Sequence, residues 1–321
     1  MAQKTHAAID GRVARPRFAR SLLGVRLPWL RSVVFCLAPC RAVWVASLAA
    51  CGSSNANLVR ASGPGDLDSS AETGVPAMSA TDAGVAALGA NASPGAAFDL
   101  SLWELQEPVG SAGSPTTIAP SALEGPNGYH DAYFYLDGAG AMTFWDPENG
   151  VTTADSSYPR SELREMNADG TTANWPVFGT NTLTATVAVT QVPDHVCIGQ
   201  IHIGSALDAG VASSTKPLLE LYDYADGSIE VGIENSPTGG QTQHMLASVP
   251  LGTKLTYSIV LTGAGAISVT INGQTSSFTM PPAFAGYGEY FKAGDYDQTA
   301  GTDASVGATV KFYALAVSHG P

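Results

Sequence analysis

The chain has 321 residues, 35 of them glycine, with 13% charged side chains and a formal net charge of −13. The charge is split: nine of the fifteen Lys and Arg residues fall in the first sixty positions, and from Ala61 onward six cations stand against 27 acidic residues, a formal −21. A main body so poor in Lys and Arg excludes nucleic acid as its partner, because counterion release from phosphates needs clustered cations, and the missing heptads and long amphipathic periods exclude a helical architecture.

Residues 1–41 are rich in Arg, with Asp10 as their only acid, and an apolar run follows over Ala42–Ala50. A basic region, a short apolar region and small residues before Cys51 read as a secretory signal over 1–51. The apolar run is too short to remain as a membrane-spanning helix. Leu48-Ala49-Ala50-Cys51 resembles a bacterial lipobox, so a lipid on Cys51 is expected, anchoring a secreted protein to the cell surface at the outer membrane. An ordinary signal peptide with a chance cysteine is the alternative. Residues 52–95 are Ala, Gly, Ser and Asp with few large apolar side chains. Such a segment cannot bury enough surface to fold and reads as a flexible linker.

A domain is predicted over 96–321. Short apolar segments recur between turn signals, at Ala132–Leu136, Leu183–Val189, Val196–Ile203, Leu218–Tyr224, Ser228–Ile233, Leu255–Leu261, Ala266–Ile271 and Thr309–Val317. Asp226-Gly227 and Asn272-Gly273 sit where hairpins would turn. Many short strands without helical patterns imply an all-β sandwich or jelly roll. Cys197 is the domain's only cysteine, which leaves no internal disulfide and reads as a small buried side chain.

Three segments carry chemistry. In Tyr158-Pro159-Arg160-Ser161-Glu162-Leu163-Arg164-Glu165, strand alternation puts Arg160, Glu162 and Arg164 on one face, a surface suited to carboxylates. In Ile198-Gly199-Gln200-Ile201-His202-Ile203, Gln200 and His202 share a face while Ile201 and Ile203 point to a core; His can accept a proton and Gln can donate hydrogen bonds. In Tyr290-Phe291-Lys292-Ala293-Gly294-Asp295-Tyr296-Asp297-Gln298, Tyr290, Lys292 and Tyr296 can line one face, with Gly294 allowing a bend; positive charge near such a tyrosine would favour phenolate. Taken singly, each also fits a solvated or structural polar face. No His or Cys cluster has zinc-ligand spacing.

Taken in this order, Arg-Ser-Glu-Leu-Arg-Glu (160–165), Gln-Ile-His (200–202) and Tyr-Phe-Lys-Ala-Gly-x-Tyr-x-Gln (290–298) resemble the three signature blocks of alginate lyases of polysaccharide lyase family 7. Leu100-Ser101-Leu102-Trp103-Glu104-Leu105-Gln106-Glu107-Pro108 resembles that family's opening segment, and the likeness covers roughly 97–319. It implies a concanavalin A-like β-jelly roll with the polymer in a groove on the concave sheet. It also implies β-elimination on alginate or a related polyuronate, giving 4,5-unsaturated ends, by a monomer with no cofactor and no catalytic metal. Arg164 and Gln200 would neutralise the uronate carboxylate, His202 would be the base for guluronate, and Tyr296 the acid. Substrate binding would fall to Arg160, Glu162, Lys292, Tyr290 and Gln298, with Lys292 also able to tune Tyr296. The Gln-Ile-His form implies a preference for guluronate-containing blocks, and endo action is expected. Asp297 departs from the family's usual Asn, which would place a negative charge beside Tyr296. The alternatives are a non-catalytic carbohydrate-binding jelly roll, a lyase on another polyuronate such as glucuronan, and a hydrolase. The last is disfavoured because Glu162 and Glu165 face opposite ways on a strand.

Overall fold

Alternating burial marks many of the strands, as over Thr180–Gln191, Leu255–Thr262 and Ala266–Ile271, and the strands build two stacked antiparallel sheets. The computed structural model describes residues 92–321. Its strands are β1 (Trp103–Ser111), β2 (Ser114–Ile118), β3 (Phe134–Leu136), β4 (Met142–Pro147), β5 (Ser161–Glu165), β6 (Trp175–Pro176), β7 (Thr180–Gln191) and β8 (His195–Ala206). They continue as β9 (Pro217–Tyr224), β10 (Ser228–Glu234), β11 (Gln241–Ser248), β12 (Leu255–Thr262), β13 (Ala266–Ile271), β14 (Gln274–Thr279), β15 (Tyr287–Asp297) and β16 (Gly307–Gly320). One sheet runs β11-β10-β9-β8-β15-β5-β1-β2, with β6 added beside β15; the other runs β14-β13-β12-β7-β16-β4-β3. One four-residue helix, Pro120–Leu123, and a 3₁₀ turn at Pro282–Phe284 interrupt the pattern. This is the expected all-β jelly roll.

Seven of the eight apolar segments read from the sequence lie wholly within strands, and of Ala132–Leu136 the last three residues form β3. Asp226-Gly227 closes the β9–β10 hairpin and Asn272-Gly273 closes β13–β14. Asn272 (φ 49°) and Gly273 (φ 82°) both take left-handed backbone, as a tight hairpin turn of this twist requires. Residues 92–95, read from the sequence as the end of the linker, pack against the domain. Ala92 bridges Leu136, Gly95 bridges Glu124, and Ser93 is fully buried. Their small side chains are what lets them pack there: a Cβ on Gly95 would lie 2.0 Å from the Leu123 carbonyl oxygen. The predicted signal, the remainder of the linker and Cys51 lie outside the described residues.

The core fills the space between the sheets. Phe134, Phe144 and Phe312 pack in series, tilted and edge-on, with ring centroids 5.1 and 5.4 Å apart. Leu163, Ile201 and Phe291 come from three adjacent strands of the larger sheet and are fully buried. Each contributes about 1.5–3 kcal/mol by leaving water. Their burial fixes the register of β5, β8 and β15, and so forces the intervening polar residues onto the opposite, open face. Cys197 is buried and unpaired, as expected.

Candidate active site

The open face of the larger sheet carries a cleft of about 620 Å³. Its floor follows from cross-strand register: Lys292 of β15 pairs with Arg164 on one side and Gln200 on the other. Tyr290 pairs with His202, and Tyr296 with Cys197 further along. His202 and Tyr296 therefore flank the Arg164–Lys292–Gln200 row from opposite sides. The three sequence segments converge here: Arg160, Arg164, Gln200, His202, Tyr290, Lys292, Tyr296 and Gln298 all line the cleft.

Glu162 differs from its expected place. It shares the face of Arg160 and Arg164 but is fully buried and is not part of the cleft wall. Larger side chains close over it: it pairs with Lys292 Nζ, meets Arg160 at 3.4 Å and accepts a 2.5 Å hydrogen bond from Gln200 Nε2. One buried carboxylate thus holds three groups of the floor and leaves no free oxygen for substrate. Burial and the nearby Arg160 lower Lys292 to about 8, against the attraction of Glu162.

Arg164 forms no salt bridge among the described residues. Its guanidinium lies 4.2 Å from the centre of the Tyr290 ring, and its buried Nε has no partner. His202 stacks on the same tyrosine at 5.1 Å. Its Nδ1 lies 2.8 Å from the Ile203 carbonyl oxygen. A carbonyl can only accept, so Nδ1 carries the hydrogen and Nε2 keeps a lone pair. Burial first, and then repulsion from Lys292, lowers His202 to about 3. The ring is a neutral acceptor at neutral pH.

The hydroxyl of Tyr296 lies 3.1 Å from Ser156 Oγ, and the Arg160 guanidinium sits 3.8 Å from its ring centre. Positive charge was expected to favour phenolate here. Arg160 does pull that way, but burial outweighs it and the phenol is raised above its ordinary value. The cation at Tyr296 is Arg160 rather than Lys292, which is turned to Glu162. Asp297 does not press on Tyr296 either. It points to the other face, fully buried, accepting from the Thr299 N–H at 2.9 Å while its own N–H donates to Asp146. Adjacent strand residues face opposite ways, and this pair obeys that rule. Glu165 also faces away, held by Trp175, the Phe291 N–H and His319, so Glu162 and Glu165 do not form a hydrolytic pair.

Two further residues that line the cleft were not read from the sequence. Ser156 lies on a loop and bridges Tyr296 and Arg160. Glu220 on β9 accepts from Gln298 at 2.8 Å, Tyr222 at 2.7 Å and Gln241 at 2.8 Å, and thereby fixes Gln298. Only the alternation of Leu219-Glu220-Leu221-Tyr222 could have flagged Glu220. Among the described residues no group of three or more His, Cys, Asp or Glu is arranged to hold a metal ion.

Comparison with known proteins agrees with this geometry. The family model described as alginate lyase matches residues 98–319. An alginate lyase of Klebsiella pneumoniae is 30% identical over 295 residues, covering 71% of this chain and 92% of the relative. The crystal structure of alginate lyase PA1167 from Pseudomonas aeruginosa superposes with a TM-score of 0.63 at 35% identity, covering 70% of this chain and all of that one. Alginate lyase A1-II′, a member of polysaccharide lyase family 7, gives 0.61 at 37% identity, covering 71% and 98%. Variants of A1-II′ have been crystallised with a product, GGG, and with a substrate, GGMG. A fold, a set of cleft residues and a family match over the same 98–319 segment converge, and the chain belongs to the alginate lyases of polysaccharide lyase family 7.

Proposed function

We propose that the cleft cleaves the 1,4-linkages of alginate by β-elimination, acting within the chain and favouring guluronate-containing blocks. The observation that carries this reading is the placement of His202 and Tyr296 on opposite sides of an unpaired arginine. Elimination requires three things of a uronate: neutralisation of its carboxylate, a base for the carbon-5 proton and an acid for the departing 4-oxygen. Arg164 and Gln200 take the carboxylate, with Arg160 and Lys292 adding positive charge, so that negative charge developing at carbon 5 spreads into a neutralised group. Nε2 of His202 removes the proton. The C–H electron pair becomes the carbon 4–carbon 5 double bond, and the bond from carbon 4 to its oxygen breaks. Tyr296 gives its proton to that oxygen. His202 ends protonated and Tyr296 ionised, and solvent restores both. With mannuronate, whose carbon-5 proton lies on the other face of the sugar, Tyr296 serves as base and acid.

The alginate oligosaccharides bound by A1-II′ variants support alginate as substrate. The guluronate preference rests on His202 as a separate base and on the Gln-Ile-His form of the motif. The test is to mix the purified protein with polyguluronate, polymannuronate and glucuronan and follow the ultraviolet absorbance of unsaturated uronate ends together with viscosity. Early loss of viscosity with rising absorbance, fastest on polyguluronate, is expected. A rise on glucuronan alone would move the substrate, and new reducing ends without absorbance would replace elimination by hydrolysis. Delivery to the cell surface through a lipid on Cys51 belongs to the same proposal: Cys51→Ser should release the enzyme from the membrane fraction, and unchanged partition would contradict it.

A further inference from the structure

The cleft extends past the groups used above. Register continues the floor from Gln200 to Glu220 on β9 and Gly232 on β10. Gln241 crosses over Gly232 to reach Glu220, and a Cβ on Gly232 would lie 2.2 Å from Gln241 Cδ and push that side chain aside. Two residues on, Glu234 lines the same cleft, 6% exposed, with its Oε2 lacking any partner. Lys216, exposed, is the fourth cation of the cleft; its charge acts on Glu234, though it is part of no salt bridge among the described residues. Its backbone is held in place. The Lys216 N–H donates to Ser214 Oγ at 3.1 Å, and Ser214 Oγ donates to the Pro237 carbonyl at 2.7 Å, which ties this loop to the β10–β11 turn.

We propose that Lys216 and Glu234 form an outer uronate subsite, Lys216 taking the carboxylate and Glu234 accepting hydrogen bonds from ring hydroxyls. The division of labour follows from charge. A uronate carboxylate set against Glu234 would also face Glu220, so the sugar must turn its hydroxyls to that wall and its carboxylate to the lysine. The row between Arg164 and this subsite runs through Lys292, Gln200 and Glu220, so occupying both ends takes a chain longer than one centred on Arg164 and Lys292 alone. The inference rests on the lyase reading for its ligand, yet it is separable from it, because it concerns binding alone.

The experiment measures dissociation constants of guluronate trimer and octamer in the full chain carrying Tyr296→Phe, with and without Lys216→Gln or Glu234→Gln, after thermal melting confirms each fold. Lys216→Gln should weaken octamer binding about tenfold and Glu234→Gln about fivefold, with trimer binding within about twofold of the parent. The sign for Glu234→Gln is the discriminating result. General electrostatics predicts that removing an acid tightens a polyanion, whereas a hydroxyl-reading carboxylate predicts weakening. Tighter octamer binding by Glu234→Gln, or equal changes for trimer and octamer in either variant, overturns the subsite. A wild-type chain that makes no unsaturated ends on any polyuronate would instead refute the lyase reading.

Discussion

Glu162→Gln isolates the electrostatic plan of the site. Glu162 is fully buried against Lys292, Arg160 and Gln200. Removing one partner of a buried ion pair costs about 3–5 kcal/mol, since the remaining charge is left without compensation. Lys292 limits that cost. Its fall from 10.5 to about 8 already corresponds to about 3 kcal/mol against the charged form. Without Glu162 the opposing influences, burial and Arg160, act alone and lower it further. A lowered lysine pKa withdraws stability while the folded state must carry the proton and restores it as pH rises past the folded pKa. The variant sheds its Lys292 proton at a lower pH than wild type, so it recovers between its own pKa and about 8; above that the two curves rise in parallel. The stability loss should thus be about 3 kcal/mol or more at pH 6 and about half that at pH 9, measured by urea unfolding with linear extrapolation at each pH. Turnover should fall at least about a hundredfold, because Gln200 and both cations lose their shared anchor. A loss below about 1 kcal/mol, or one equal at both pH values, would refute the assignment of Glu162 as the counterion of the floor.

Tyr296→Phe removes one hydroxyl and should lower kcat by about 10²–10⁴-fold with melting temperature and KM little changed; wild-type rates would end its role as the acid. His202→Asn should reduce guluronate cleavage by a similar factor and mannuronate cleavage far less, and equal losses on separate block substrates would remove the two-base scheme. Because His202 is held near 3, its protonation should draw no acid limb in kcat/KM for polyguluronate between about pH 7 and pH 5, and an inflection near the ordinary histidine value that disappears in His202→Asn would contradict this. Gly294→Ala would set a Cβ 2.7 Å from Glu162 Cα at φ +153°. It should cost about 1–3 kcal/mol and depress kcat beyond the stability loss, as β5 and β15 are pushed apart beneath the site; a melting temperature and kcat like wild type would show that the strands absorb the methyl group.

The strands and hairpins were legible because they depend on local pattern. Ile201 and Ile203 against Gln200 and His202, or Phe291 and Ala293 against Tyr290 and Lys292, announce a strand with one apolar and one polar face. Asn272-Gly273 announces the turn. Strand parity likewise brought Arg160, Gln200, Tyr296 and Lys292 to one surface. Parity gives a face but not a depth, and Glu162 went under the floor because Arg160 from its own segment and Lys292 and Gln200 from other strands of the sheet close over it. Ser156 was invisible because a loop has no period, and Glu220 because its meaning depends on Gln298 and Gln241, 78 and 21 residues away. The direction of the Tyr296 shift was out of reach for a similar reason. It is a contest between Arg160 and burial, and only packing decides which is larger.

The charge distribution and the protonation states share an origin. A body with six cations against 27 acids repels a polyuronate along most of its surface, while Arg160, Arg164 and Lys292 gather at the row where a carboxylate must be neutralised. Attraction is thus focused on the sugar that reacts. Burial of the same row then prepares the chemistry. Withdrawal of water opposes any charged side chain, so it drives an imidazole toward its neutral form and a phenol toward its protonated form. One physical cause therefore leaves His202 neutral with a free lone pair and Tyr296 with its proton in place at the same pH. The surrounding cations act on both: they repel a proton from His202, and through Arg160 they moderate the upward shift of Tyr296, as the proposed elimination requires of a phenol that must part with its proton.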